Sequence, residues 1–116
     1  MAKKPIIPKT LDEAIQFLMK DNEGNSNISN DEGRFLSEQH HFVGRNLRNE
    51  WGLWTGSNLQ TWFKERGIHH ADDMSSIILT SFHRNVNGKD IELDEQIKHY
   101  RNFWEKTNPK VNEGTL

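Results

Sequence analysis

The feature that most constrains the fold of this chain is the helical spacing of its apolar residues. The spacing is clearest in one segment, where apolar or small side chains recur at positions i, i+3, i+4, i+7 and i+8: Met74, Ile77, Ile78, Ser81 and Phe82. Such a pattern forms one continuous stripe along a helix, and the stripe is buried against the rest of the fold. Four other segments repeat the helical period, so we predict an all-α fold, a compact single-domain bundle of about five helices.

Capping signals predict where these helices begin and end. Three segments have capping-box spacing, with a Ser or Thr hydroxyl three residues before a Glu or Gln: Thr10–Glu13, Ser29–Glu32 and Ser57–Gln60. Gly67 followed by Ile68 predicts a Schellman motif at the end of the third helix. In residues 85–93, Asn87-Gly88 either ends the fourth helix or turns a small β-hairpin, and we favour the helix end.

The length of the chain predicts one domain, and its composition excludes several kinds of site. The 116 residues include four Trp and six Phe, which supply a modest aromatic core although only 33% of the residues are hydrophobic. Cysteine is absent, which excludes disulfides and thiolate metal ligands. Since there is no run of about 20 apolar residues and no signal-peptide core, we expect a cytoplasmic protein without a membrane span.

We expect residues 10–107 to form a single helical domain. The stretch at residues 21–30 is rich in Asn, Ser and Gly, so it is predicted to be a loop. Residues 1–9 and 108–116 have prolines at their margins, and polar or small residues dominate the tail. These two segments are therefore predicted as a flexible N-terminus and a flexible C-terminus.

The predicted second helix carries a stripe of charged and His side chains. Steps of four, three, four and three residues put five of them on one side: Arg34, Glu38, His41, Arg45 and Arg48. Arginines arranged in this way bind carboxylates or phosphates through paired hydrogen bonds. The alternative is an ordinary solvated face with charge pairs at i, i+4. The formal net charge of −2 argues against nucleic acid as the partner.

The start of the predicted fourth helix concentrates the residues most suited to chemistry. Two His and two Asp lie within five positions: His69, His70, Asp72 and Asp73. Their nitrogen and oxygen atoms are candidate ligands for Zn²⁺ or a similar ion, and His70 with Asp72 or Asp73 is a candidate catalytic pair. The structural alternative is that Asp72 or Asp73 caps the helix by accepting from the free amides of its first turn.

Two tryptophans three residues apart mark the segment that follows the second helix. In the segment RNEWGLW at residues 48–54, Trp51 and Trp54 flank Gly52, which favours a turn against the core. Asn49 is a candidate hydrogen-bond partner for an indole N–H. The alternative is an aromatic pocket that binds a ligand or a partner.

The two motifs together resemble a known family. RNEWGLW at residues 48–54 and GIHHADDMSSIIL at residues 67–79 are similar to the signature RNxWGLW…GIHH(A/P)DDMSxIIL of an uncharacterised bacterial domain of unknown function. The resemblance extends over residues 10–104, and Ala71 stands where the family often has Pro. It implies one folded unit in which five residues recur as a set: Arg48, Asn49, His70, Asp72 and Asp73. It brings no established activity with it.

These observations favour a small, non-enzymatic protein-binding or regulatory module of bacterial or phage origin that uses no cofactor. Its predicted partner is a protein, contacted through six residues: His41, Arg45, Arg48, Asn49, Trp51 and Trp54. The alternative is a small hydrolase or anion-binding enzyme, with or without a metal ion. In that case His70 is the general base, Asp72 or Asp73 orients it or binds the metal, and Arg48 with Asn49 stabilises the anion.

Overall fold

The computed structural model describes residues 7–24, 28 and 30–107, and within them the chain forms helices and no β-strand. Six α-helices and one π-helical turn follow one another in this part of the chain: α1 (Leu11–Asp21), α2 (Glu32–Gln39), the π turn (His40–Gly44), α3 (Arg45–Glu50), α4 (Asn58–Lys64), α5 (Ala71–Val86) and α6 (Leu93–Thr107). Because α2, the π turn and α3 are continuous, five helical units result, and the all-α prediction is confirmed. Most of the two predicted flexible termini, and part of the predicted loop at residues 21–30, lie outside the described residues.

Helix α5 is the centre of the fold. It contacts α1, α2, the π turn, α3, α4 and α6, and every residue of its predicted stripe is buried. The unit from α2 to α3 runs antiparallel to α5, since Glu32 pairs with Arg84 near one end of α5 and Arg48 pairs with Asp72 near the other. Burial of this apolar stripe from all sides is the main source of stability in such a bundle.

Two predicted helix starts are confirmed and one is shifted. The hydroxyls of Thr10 and Ser57 each accept a hydrogen bond, at 3.2 Å, from the amide three residues later. The prediction that Ser29 begins the second helix is wrong: the Asp31 carboxylate accepts from the Arg34 amide at 3.1 Å, and α2 starts directly after Asp31. A carboxylate has an advantage there, because its full negative charge meets the positive end of the helix dipole.

Glycine conformation ends α4 and α5 in the same way. The predicted Schellman motif is confirmed, since Gly67 has φ +86° and the Ile68 amide donates to the carbonyl five residues earlier at 3.0 Å. At the end of α5, Gly88 has φ +69° and the Lys89 amide also donates to the carbonyl five residues earlier, at 2.8 Å. The small β-hairpin considered for residues 85–93 is therefore wrong, and the helix end is confirmed.

The π turn changes the direction of the side chains that follow it. Each hydrogen bond in such a turn spans one extra residue, so downstream side chains rotate by about 100° relative to a continuous α-helix. Gly44 allows the close approach to α5, since a Cβ atom there would lie 3.1 Å from Arg48 Nη1 and 3.7 Å from Leu79 Cδ1. As a result Arg48 faces α5 and is buried, whereas Phe42 within the turn is 74% exposed.

An ion pair joins the start of α2 to the end of α5. Arg84 Nε donates to Glu32 Oε1 at 2.7 Å, and Arg84 Nη2 donates to Glu32 Oε2 at 3.2 Å. Arg84 Nη1 donates to the Ile91 carbonyl at 2.7 Å. The hydrogen-bonded pairing lowers the pKa of Glu32 and raises the pKa of Arg84. Arg84 therefore holds α2, α5 and the connection to α6 together.

We expect Glu32→Gln to lower the free energy of unfolding at neutral pH, because it removes the charge that pairs with Arg84. The loss should be only roughly 1 kcal/mol, since solvent screens a side chain that is 35% exposed. The folded-state pKa of Glu32 lies below its unfolded value. The contribution is therefore complete above the ordinary Glu pKa and is lost as the pH falls through the lowered folded-state pKa.

Urea unfolding of both proteins over acidic to neutral pH measures this difference, which should vanish at low pH. Glu38→Gln is the matched control, because the pair of Glu38 with Arg34 is 3.8 Å long and exposed on both sides. Equal losses in the two variants would contradict the role given to Glu32.

Candidate functional site

Arg48 is the buried centre of the first candidate site. It is only 8% exposed, and its Nη1 donates to Ser75 Oγ at 2.9 Å. Its Nε lies 3.3 Å from Asp72 Oδ1, close enough for charge pairing but without hydrogen-bond geometry. Ser75 Oγ in turn donates to the Asp72 carbonyl at 3.0 Å. Arg48 thus connects α3 to the first turns of α5.

The predicted stripe of the second helix is broken by this inward turn. His41 and Arg45 are exposed, and Arg34 forms an exposed pair with Glu38. Arg48 instead lies on the face of α3 that packs against α5, whereas Arg45, three residues earlier on the same helix, stays exposed. The prediction of one continuous exposed stripe is wrong in this respect.

The two tryptophans of the 48–54 segment have opposite environments. Trp51 is 3% exposed and meets the Phe17 ring edge-on at a centroid distance of 5.5 Å, so it belongs to the core. Trp54 is 57% exposed, yet its Nε1 donates to Asn49 Oδ1 at 3.1 Å. The Arg48 guanidinium lies 5.9 Å from the centre of the Trp54 ring. The predicted partnership of Asn49 with an indole is confirmed for Trp54.

Gly52 makes the sharp turn that separates the two tryptophans. It has φ +65°, and a Cβ atom there would lie 3.0 Å from Ser57 Cβ. The next residue, Leu53, is bonded in both directions along the chain. Its amide donates to the Arg48 carbonyl at 3.0 Å, and its carbonyl accepts from Gln60 Nε2 at 2.9 Å. The turn is therefore fixed at both ends, and it holds Trp54 beside Arg48 at the surface.

The two aspartates at the start of α5 point to different neighbours. Asp72 faces Arg48, whereas Asp73 Oδ2 accepts from Trp104 Nε1 at 2.8 Å. His70 precedes the helix as its N-cap residue without a side-chain cap bond, and its ring stacks on Trp104 at a centroid distance of 3.8 Å. The capping role predicted for Asp72 or Asp73 is therefore replaced by these contacts. Both carboxylates still lie in the first turn, where the helix dipole favours negative charge.

The second candidate site, which we call the α5–α6 cluster, was not predicted as a unit. It contains five half-buried side chains from the π turn, α5 and α6: His40, Asp73, Ser76, Tyr100 and Trp104. Ser76 Oγ lies 3.5 Å from His40 Nδ1. Burial raises the pKa of Asp73 against the opposing hydrogen bond from Trp104, and burial also raises the pKa of Tyr100 against a hydrogen bond with Ser76. Perturbed groups of this kind are typical of functional sites.

The residues predicted as one constellation are thus divided between two sites. Arg48 lies with Asp72, and Asn49 bonds to Trp54 beside it. His70 instead stacks on Trp104, whose indole donates to Asp73. His69 is exposed. Within the part of the chain that the structure describes, no three His, Asp or Glu side chains are grouped so that they could hold a metal ion. The predicted alternative of a metal site at His69, His70, Asp72 and Asp73 gains no support from this arrangement.

A comparison of the sequence with protein-family models identifies the family of this chain. The model of the family described as "Domain of unknown function (DUF6794)" matches residues 7–86. This chain belongs to DUF6794. The comparisons with curated proteins and with solved structures gave no match. In the described residues, no helix of this DUF6794 chain combines the length and apolar character needed to cross a membrane.

The extent of the DUF6794 match separates the two candidate sites. The matched residues include α1 to α5 and contain the whole of the Arg48 site. Helix α6 lies beyond the match, and with it Tyr100 and Trp104 of the α5–α6 cluster. The part of the predicted resemblance that extends from residue 87 to residue 104 also falls outside the matched residues.

Proposed function

We propose that this DUF6794 chain is a non-enzymatic protein-binding module whose contact surface centres on Trp54. The observation that carries the proposal is that a large aromatic side chain is more than half exposed and yet held in one orientation, by the hydrogen bond to Asn49 and by Arg48 beside it. Aromatic side chains, tryptophan among them, are enriched in protein–protein interfaces relative to the rest of the protein surface. Trp and Arg are also enriched among the residues that dominate binding energies.

Preorganisation is the physical advantage of this arrangement. A side chain that is already ordered loses little further conformational entropy when a partner covers it, so more of the contact energy appears as affinity. The side-chain carbonyl of Asn49 accepts the hydrogen bond from the Trp54 indole and thereby orients the ring before the partner binds. Arg48 lies beside the Trp54 ring and helps to position it. It is too deeply buried to contact a partner itself.

The exposed residues around Trp54 indicate the chemistry of the partner. Arg45 and Asn49 are one helical turn apart on α3 and both are exposed. Together with Trp54 they form the surface we call the Trp54 surface. Buried Arg48 already has Asp72 as its counter-ion, so on this surface Arg45 is the cation among the described residues that can pair with a partner. A partner with an apolar recess for the indole and a carboxylate facing Arg45 fits this surface best.

Binding measurements on Trp54→Ala test the proposal. Proteins retained by the wild type from a lysate are identified, purified and titrated by calorimetry against wild type and variant. We expect Trp54→Ala to weaken binding by about thirtyfold, equivalent to about 2 kcal/mol for a central aromatic contact. Its melting temperature should stay close to that of the wild type, because the side chain is exposed.

Phe103→Ala is the matched control for this experiment. Phe103 is 52% exposed on α6, so the control removes a similar exposed aromatic side chain from another surface. Its affinity should stay within about threefold of the wild type, below the threshold expected for a central contact. Equal affinity of Trp54→Ala and wild type for a purified partner contradicts the proposal.

The alternative of a small hydrolase or anion-binding enzyme has less support. It needs His70, an aspartate, Arg48 and Asn49 around one reacting group. Arg48 is occupied by Ser75 and Asp72, and the His70 ring lies flat against Trp104 on the other side of the start of α5. The bacterial or phage origin and the regulatory role stay predictions from the sequence.

A further inference from the structure

Phe42 is a large apolar side chain that neither the core, the Arg48 site nor the Trp54 surface uses. It is 74% exposed, the highest fraction of any large hydrophobic side chain in the described part of the chain. It lies in the middle of the π turn, and such turns are rare and frequently found at functional sites. Since aromatic side chains are enriched in interfaces, an exposed ring at this position indicates a contact surface.

Phe42 is the centre of a row of exposed side chains along the unit from α2 to α3. The members of the row are four residues apart, and all five are exposed: Arg34, Glu38, Phe42, Asn46 and Glu50. We call them the Phe42 row. In an unbroken α-helix a row of this spacing winds round the axis by about 40° per step. The π turn removes roughly 100° of the total drift, so the row stays on one side of the unit over its four steps.

The charges at the two ends of the Phe42 row have opposite signs and lie at equal distances from its centre. Arg34 lies eight residues before Phe42, and Glu50 lies eight residues after it. If a second copy packs antiparallel so that the two Phe42 rings meet, Arg34 of each copy faces Glu50 of the other. Glu38 then faces the uncharged Asn46, so no like charges meet. A parallel arrangement would instead place Arg34 against Arg34.

Both end charges of the row are unfavourable within a single chain. Arg34 lies in the first turn of α2, and Glu50 is the last residue of α3. The helix dipole favours negative charge at the start of a helix and positive charge at its end, so both positions have the wrong sign. The exposed pair of Arg34 with Glu38, at 3.8 Å, offsets little of this, and Glu50 has no ion pair among the described residues. Residues that break a local rule of this kind are expected at functional sites.

We infer that the Phe42 row is a self-complementary surface through which two copies of this chain form an antiparallel dimer with two-fold symmetry. The two Phe42 rings meet at the axis, and a pair of Arg34 with Glu50 lies on each side of them. One pair of helices buries an area at or below about 1,200 Å², so the dimer is weak, with a dissociation constant of about 0.1 mM. The inference requires no partner protein and does not depend on the Trp54 surface.

Sedimentation equilibrium of the full chain alone measures this association. We expect the wild type to approach the dimer mass as its concentration rises, and salt to weaken the dimer because the outer pairs are exposed. Phe42→Ala should weaken dimerisation by about thirtyfold or more, since each dimer loses both rings. Its melting temperature as a dilute monomer should stay close to that of the wild type. Phe103→Ala, the matched control with a ring 52% exposed on α6, should dimerise like the wild type.

Two charge reversals test the register of the contact. Arg34→Glu places two carboxylates opposite each other and Glu50→Arg places two guanidinium groups opposite each other, so each variant alone should dimerise about tenfold more weakly than the wild type. An equimolar mixture of the two variants should associate as tightly as the wild type, because both pairs of the mixed dimer again have opposite signs. Both reversals agree with the helix dipole, so each variant should fold at least as stably as the wild type.

The mixing experiment separates a contact between two copies from an effect within one chain. A reversal that acts only inside its own chain is not relieved by adding the other variant. A mixture that associates no better than either variant alone therefore overturns the inference, and so does a Phe42→Ala variant that dimerises like the wild type. A wild type that is still monomeric at about 1 mM, the result expected if Phe42 contacts a different protein, overturns it as well.

Discussion

Replacing Arg48 with alanine should lower the free energy of unfolding by about 3 kcal/mol. The variant loses the hydrogen bond to Ser75 at 2.9 Å and the packing of a long aliphatic stem between α3 and α5. It also leaves Asp72 without its cation, although that part is small because the Asp72 side chain is 63% exposed. Urea unfolding followed by circular dichroism measures the loss.

Arg45→Ala is the matched control for Arg48→Ala. Arg45 lies on the same helix three residues earlier and is exposed, so its replacement should change stability by less than about 0.5 kcal/mol. Similar losses in both variants would mean that Arg48 is as solvated as Arg45, which contradicts the inward orientation described above.

Trp51→Ala should have the larger effect, a loss of about 3–5 kcal/mol in the free energy of unfolding. The side chain is almost completely buried, and its removal leaves a cavity where Phe17 now meets the ring edge-on. Because a domain of this size has a total stability of roughly 5–15 kcal/mol, this loss is a large fraction of it, and the melting temperature should fall by about 10 °C or more. Thermal unfolding measured by circular dichroism tests this.

The contrast with Trp54→Ala gives this experiment its value. The two tryptophans are three residues apart in one motif, yet we expect Trp54→Ala to cost about 1 kcal/mol or less, since its indole is mostly in water. One tryptophan then serves stability and the other serves binding. Comparable destabilisation by both variants would assign both to the core and remove the basis of the Trp54 surface.

The helices were predictable because their signals are local. Thr10 and Ser57 bond to amides three residues away, and Gly67 ends α4 through a bond that spans five residues. The stripe on α5 contains enough apolar side chains to define a buried face by itself. Asp31 caps α2 instead of the predicted Ser29, because two capping residues lie close together in the sequence and spacing alone does not choose between them.

The arrangement of the sites was not predictable, because it depends on two long-range events. The π turn rotates α3 and turns Arg48 inward, and no local pattern in the sequence marks an inserted residue within a helix. The packing of α6 then draws Asp73 away from Asp72 toward Trp104. A sequence pattern gives the spacing of residues along one helix. The hydrogen bonds of the two sites instead join residues that are 27 positions apart, Arg48 and Ser75, and 31 positions apart, Asp73 and Trp104.

The measurement that tests the central claim most directly is the ¹⁵N–¹H spectrum of the tryptophan indoles as a purified protein partner is added. The account predicts that the Trp54 signal shifts or broadens with the population of the complex, while the signals of buried Trp51 and of Trp62 stay in place. A complex that forms while the Trp54 signal is unchanged would contradict the claim that Trp54 is the centre of the binding surface.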